Sequence, residues 1–205
     1  MTGIEIPVVL LHGLGRTSAS MWPLAWRLGQ AGFNAESIGY PSTRQGIAQS
    51  RDAVRNLLAG RSGPCHVVGH SLGGLLAAEL KRESDLDIHR VVQLGSPNLG
   101  SPVAARLGPR WPFRGLCGPA LAELGPRDQE PPTNDHIAAI AGIRGPALSP
   151  DLEDPHDGAV SRRSAWAGAG HRAEVPALHT LLPLSKAAAQ LTIAFLQTGQ
   201  FPETP

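Results

Sequence analysis

Ser71 is the residue whose setting asks for chemistry. It lies in "HVVGHSLGGLLAAEL" (66–80), between Gly69 and Gly73, after an apolar run and before a helix-like one. A serine hydroxyl attacks only when a base takes its proton, and a third group must orient that base. The G-x-S-x-G pattern is weak by itself, so its context has to decide. Here it falls at a strand-to-helix turn. Such a turn lifts a serine to the carboxyl edge of a sheet and aims helix amides at the charge that forms there. Glycines at 69 and 73 leave room for backbone that would otherwise collide, and Gly74 eases packing of the helix on the strand. The competing reading is a small residue in a tight structural turn.

The histidines that follow Ser71 are His89, His136, His156, His171 and His179. His89 begins a strand and His136 precedes one, so both fall at the wrong edge. His179 lies after the last short strand and before the last helix, on a loop at the edge expected for Ser71. His171 precedes that strand and is the competing base. His70 is excluded as the base because an adjacent side chain leaves the backbone in another direction. The acid must come between serine and histidine in this type of sheet, and Asp151, Glu153, Asp154 and Asp157 crowd one loop. Asp157 is preferred, because "DG" makes a tight turn that can present a carboxylate, with Asp154 second. Solvent-facing turn caps are the alternative for all four. "EDPHD" offers oxygen ligands for calcium, but no ligand spacing in it is diagnostic, so no metal is assigned. Two amides must also face the oxyanion. The residue after the nucleophile, Leu72, supplies one. Leu14 in "LLHGLGRT" supplies the other, with Gly13 permitting an unusual turn and His12 shaping the loop.

These positions need a particular scaffold. "PVVLL" (7–11), "NAESIGYP" (34–41), "CHVVGH" (65–70), "IHRVVQLGSP" (88–97), "HIAAIAGIRG" (136–145) and "RAEVPAL" (172–178) read as strands. Between them, "SMWPLAWRLGQAGF" reads as a helix capped by Ser18 or Ser20, and "GIAQSRDAVRNLLAG" and "LGGLLAAELKRE" as two more. "PLSKAAAQLTIAFLQTG", with Pro183 early and Gly199 at its end, closes the chain. The alternation predicts an α/β fold: a single doubly wound, mostly parallel sheet with helices on both faces, in one domain over 1–205. The pattern breaks over about 100–132, which is rich in proline and glycine yet carries Leu107, Trp111, Phe113, Leu116, Leu121 and Leu124. Such a segment is too apolar for a linker and reads as a partly helical flap. Its apolar side chains either close the core or form a wall for substrate, with Trp111, Phe113 and Leu116 the candidates for contact.

Composition excludes several other classes. A net charge of +1 with scattered basic residues gives no sign of electrostatic capture of nucleic acid or of an anionic membrane. No apolar stretch is long enough to span a bilayer. Cys65 and Cys117 make neither a disulfide framework nor a zinc site. Cys65 reads as a core residue, and a single 65–117 bridge is the minority alternative. The early run "IPVVLLHG" has no basic lead-in and is needed as a strand, which argues against a signal peptide and, with Met1, for a cytoplasmic protein. Oligomeric state is not legible.

Taken in order, "VVLLHGLGRT", "VVGHSLGG", "LGSPNLGS", "DGAVS" and "LHTLL" resemble the α/β-hydrolase superfamily, and more narrowly its small bacterial lipase/esterase branch, near the triacylglycerol-lipase-like and inositol-deacylase-like hydrolases. The resemblance covers nearly the whole chain and is most specific in the serine turn and the "HG" loop. It implies an α/β-hydrolase fold and hydrolysis of carboxylic esters, small-molecule or lipid, without a cofactor. Ser71 would be the nucleophile, Asp157 the acid, His179 the base, and Leu14 and Leu72 the oxyanion amides. The segment 100–132 matches nothing closely, which leaves the acyl group open. Thioesterase or acyltransferase chemistry would use the same residues. A non-catalytic binding protein on this scaffold is disfavoured, because all three triad types and the oxyanion loop are present.

Overall fold

A run of four apolar residues needs cover on both sides, and "VVLL" has it. In the computed structural model, which describes residues 6–83, 85–110, 115, 117–146, 152 and 155–202, strand β1 (Val8–Leu11) is wholly buried. A 3-10 turn (Ser18–Met21) then leads into helix α1 (Trp22–Gln30). Neither Ser18 nor Ser20 caps α1. The Ser20 hydroxyl donates instead to the Thr17 carbonyl, and Pro23 occupies the first turn, where a missing N–H goes unnoticed. Next come β2 (Ala35–Ile38), α2 (Ile47–Ala59), β3 (Cys65–His70), α3 (Leu72–Glu83) and β4 (Ile88–Leu94).

The segment 100–132 contains two short helices, α4 (Pro102–Leu107) and α5 (Ala120–Glu123). Val103, Ala104, Ala120 and Leu124 are buried, and Leu121 packs on the core, so the described part of this segment closes the core. It is fastened at both ends. The Ser101 hydroxyl donates to the Ala159 carbonyl, and the Glu123 carboxylate accepts the Ile47 N–H at 2.7 Å, capping α2. Trp111, Phe113 and Leu116 lie outside the described residues. Cys65 and Cys117 are both free thiols, so the 65–117 bridge is not formed.

Strands β5 (Asn134–Gly142) and β6 (Ala169–Val175), with α6 (Arg162–Trp166) between them, complete one six-stranded sheet in the order β2-β1-β3-β4-β5-β6. Every pairing is parallel. Alternate side chains separate to opposite faces. Val9, Leu11 and Val67 join a core with α2 and α3, while Val8, Leu10 and Val68 join a core with α1 and the last helix, α7 (Lys186–Thr198). The chain turns outward in both directions from β1, so β1 and β3 flank the switch point where ligands bind in such sheets.

Two boundaries differ from the sequence reading. The last strand spans Ala169–Val175, not 172–178, because its ladder on β5 begins earlier and Pro176 offers no N–H to extend it. Pro183 lies in a separate 3-10 turn (His179–Leu184), and Ser185 then caps α7 by accepting the Ala188 N–H. Among the described residues, no helix is long and apolar enough to cross a membrane.

His66, on β3, is buried, and its Nδ1 has no partner. Burial, with the nearby His89 ring and Arg90 adding to it, pushes its pKa down to about 4. The unfolded chain takes up this proton near pH 6.5, whereas the folded chain resists it. The resulting loss of stability is absent above pH 6.5 and grows as pH falls toward 4. Melting curves across this range should therefore be flatter for His66→Leu than for the unsubstituted protein, and parallel curves would contradict the assignment.

Candidate active site

The β3–α3 junction forces Ser71 into a left-handed backbone. Among the described residues it alone, apart from glycines, has a positive φ, of 52°. Such a conformation costs about 1–3 kcal/mol unless the surroundings impose it. Here they do. The Ser71 N–H donates to Leu94 O at 2.9 Å, and its carbonyl accepts from the amides of Gly74 and Leu75, each at 3.1 Å. A Cβ on Gly69 would run into the backbone of Gly73 and Gly74, and one on Gly73 would lie 2.6 Å from the Leu11 and His12 carbonyl oxygens. The glycines are therefore there for close approach of chain to chain.

Asp157 reaches the site from the loop beyond β5. Its Oδ1 accepts the amides of Ala159 (2.9 Å) and Val160 (2.7 Å), which fixes the carboxylate in its turn. Its Oδ2 lies 2.7 Å from His179 Nδ1, and the Asp157 carbonyl accepts the His179 amide at 3.0 Å. His179 opens the 3-10 turn after β6, and its Nε2 is 3.0 Å from Ser71 Oγ. A carboxylate only accepts, so His179 Nδ1 carries the proton and Nε2 is free to accept from the serine hydroxyl. Asp157 and Ser71 are 2% and 8% exposed, so this chain of bonds is shielded from bulk water yet open at the serine.

The remaining histidines are elsewhere or hold structure. His89, His136 and His171 lie in the opening residues of β4, β5 and β6, at the opposite edge from Ser71. His171 lies within its strand, not ahead of it, and its ring packs on Phe195. His156 Nδ1 accepts the Gly158 amide, which stiffens the acid turn. Asp151, Glu153 and Asp154 lie outside the described residues. Among the described residues, no three His, Cys, Asp or Glu side chains are arranged to hold a metal ion.

The "HG" loop folds against the serine. His12 Nδ1 donates to the Gly13 carbonyl, its Nε2 accepts the Tyr40 amide, and its ring stacks on Tyr40. Burial lowers its pKa, which keeps this pattern neutral. A Cβ on Gly13 would sit 3.3 Å from Ser71 Cβ, so the loop passes directly over the serine. Leu14 follows in this loop and Leu72 opens α3. Among the described residues, neither amide donates to another group. One unpaired amide thus follows Ser71 directly in the chain, and another sits in the loop whose Gly13 passes over it.

Sequence reasoning missed three supports. His70, set aside as a base, is buried, and its pKa is pushed down to about 3, chiefly by burial with His179 nearby. Its neutral ring donates from Nε2 to the His179 carbonyl at 2.9 Å and so anchors the loop that carries the candidate base. Gln93 and Asn98 exchange two side-chain bonds of 2.9 and 3.1 Å. Gln93 also reaches Gly74 O and Asn98 reaches Ala165 O, so the pair ties α3 to the helix after the acid turn. Gly95 is the third. Any Cβ there would meet Leu182 Cδ1 at 2.6 Å, Asp157 Oδ2 at 2.9 Å and His179 Nδ1 at 3.2 Å. "LGSPNLGS" contains Gly95 and Asn98, but only the fold shows what they touch.

Comparison with known proteins agrees with this architecture. The Alpha/beta hydrolase family profile matches residues 8–199. Among solved structures, the mature lipase BlEst2 of Bacillus licheniformis superposes with a TM-score of 0.65 at 20% identity, covering 95% of this chain and 92% of that one. The chain spans 52% of the longer propeptide form of that lipase. A pyrethroid hydrolase from Sphingobium faniae JZ-2 has a TM-score of 0.61 at 14% identity, covering 94% and 98%. The lin2722 gene product of Listeria innocua has a TM-score of 0.62 at 17% identity, covering 98% and 96%. At these identities the likeness is one of fold. No curated protein sequence matches the chain significantly.

The His179–Asp157 bond has a spectroscopic consequence. The Nδ1 proton should give a downfield NMR resonance that disappears in Asp157→Asn. Gly95→Ala should shift or remove it too, because the added methyl wedges between the same two groups. An unchanged resonance in Gly95→Ala would contradict the close packing described.

Proposed function

This chain belongs to the Alpha/beta hydrolase family, and on that premise we propose that it is a serine hydrolase of carboxylic esters that works through an acyl-enzyme. The observation that carries the reading is the hydrogen-bonded line Asp157–His179–Ser71, with bonds of 2.7 and 3.0 Å. In this reading Ser71 Oγ attacks the ester carbonyl carbon while His179 Nε2 takes its proton. Asp157 holds the imidazole in the tautomer that allows this and stabilises the imidazolium. The Leu14 and Leu72 amides receive the oxyanion, and each such donor is worth about 3–4 kcal/mol in comparable sites. His179 then returns the proton to the leaving alcohol, and water releases the acid by the same route. The neutral His70 serves as a positioning residue for the His179 loop.

For the substrate we propose an ester with an apolar acyl or alcohol group. A cleft of about 550 Å³ opens beside the His179 turn, lined mostly by Pro176, Ala177, Leu178, Leu181 and Leu184, with Arg144 and Ser185 also in its wall. Trp111, Phe113 and Leu116 are proposed as a further wall, on the ground that their segment leaves the sheet at the same edge as Ser71.

Kinetics on p-nitrophenyl esters of graded chain length test this. Ser71→Ala and His179→Ala should each stay folded and lose at least about a thousandfold in kcat. Asp157→Asn should also lose activity heavily through the wrong imidazole tautomer, while His171→Ala keeps most of its turnover. Near-normal turnover in Ser71→Ala would contradict the reading.

A further inference from the structure

Five large apolar side chains stand exposed among the described residues, and four of them lie on two elements that pack on each other. Trp22 and Trp26 are on α1, at 64% and 65% exposure, and Leu181 and Leu184 are on the 3-10 turn that begins with His179. Four residues apart on a helix, the two indoles share a face. Single exposed apolar residues are ordinary, but two tryptophans and two leucines exposed on neighbouring elements point to a contact surface.

The charges on this side are as uneven as its apolar residues. Arg16, Arg144 and Lys186 are exposed there, and among the described residues none has a carboxylate partner. Elsewhere, Arg51, Arg55, Arg61, Arg127 and Arg162 each pair with an acid, while Lys81, Arg82 and Arg172 bond backbone carbonyls. Residues 14–33 and 176–200, which carry all four of these apolar side chains, contain no Asp or Glu. The net charge of +1 hides this one-sided arrangement, because the fold gathers cations that are far apart along the chain.

We propose that this face docks the protein on a lipid surface that bears anionic headgroups. Trp22, Trp26, Leu181 and Leu184 enter the interfacial layer, where an indole has both an apolar ring and a wet N–H. Arg16, Arg144 and Lys186 meet the headgroup phosphates. His179 begins the same turn as Leu181, and Arg16 follows the loop over Ser71, so the mouth of the site faces the lipid. A second copy of the chain fits this surface poorly, because a two-fold contact would set Arg16, Arg144 and Lys186 against one another, and none of these pairs with a carboxylate among the described residues. The proposal goes beyond the hydrolase reading and does not rest on it.

Flotation of the full chain with vesicles reads the binding without any turnover. The protein should float with vesicles of phosphatidylcholine and phosphatidylglycerol in equal parts, not with phosphatidylcholine alone, and added salt should release it. Trp22→Ser with Trp26→Ser should lower the bound fraction at least about tenfold, as should Arg144→Glu with Lys186→Glu. Leu57→Ser, an exposed leucine on α2, should change nothing. Melting curves check that each variant is folded. Ser71→Ala should float like the unsubstituted chain, so failure of the hydrolase reading leaves this test intact. Absence of flotation, equal binding to both vesicle types, or full binding by the tryptophan variant would overturn the proposal. So would a dimer in sedimentation that the tryptophan variant dissolves.

Discussion

A left-handed backbone at Ser71 is the constraint around which the rest is arranged. A non-glycine residue holds φ of 52° only if its neighbours leave it nowhere else to go. The neighbours are the end of β4, which accepts its amide, and the first turn of α3, which donates to its carbonyl. For those contacts to exist, α3 must start almost on top of β3 and β1. That is possible only where positions 69, 73 and 74 carry no side chain. The sharp turn leaves the hydroxyl at the sheet edge and the Leu72 amide unpaired beside it.

The parallel sheet then brings the other groups to the same place. Every strand points the same way, so the loops after β1, β3, β5 and β6 all emerge at one edge, although they lie far apart in sequence. Each loop is locked separately. His12 and Tyr40 hold the first, the acid turn closes on its own amides, and His70 grips the carbonyl of His179. These locks depend on buried histidines that stay neutral. His12 and His70 resist protonation because burial penalises the charged ring, and their hydrogen-bond patterns need a neutral ring. The scaffold is built from uncharged contacts, and its one buried carboxylate, among the described residues, is Asp157.

Much of this was legible in the sequence, for specific reasons. Strands covered on both faces print as continuous apolar runs, and so β1, β3 and β4 stand out. The serine turn carries glycines that chain contact demands. Ser71, Asp157 and His179 each follow a strand, and the structure brings them within hydrogen-bond distance. Less was legible where a residue acts through distant contacts. Gly95 looks like any turn glycine until Asp157 and His179 pack against it. The Gln93–Asn98 pair and the bond from His70 to His179 span loops that sequence cannot juxtapose. The frame of β6 is hard to read from sequence because this edge strand is half-exposed and carries polar residues, so its apolar signal is weak. Beside the local bond from the Gly46 amide to Gln49 Oε1, α2 is capped by Glu123, 76 residues away, which no local pattern contains.

The central claim is that His179 activates Ser71 as a nucleophile, and a fluorophosphonate probe measures this without assuming any substrate. Mass mapping of the labelled protein should find one adduct per chain, on Ser71. The labelling rate should fall sharply in His179→Ala and stay near normal in His171→Ala. A folded protein that leaves Ser71 unlabelled, or labels it equally fast without His179, would contradict the account.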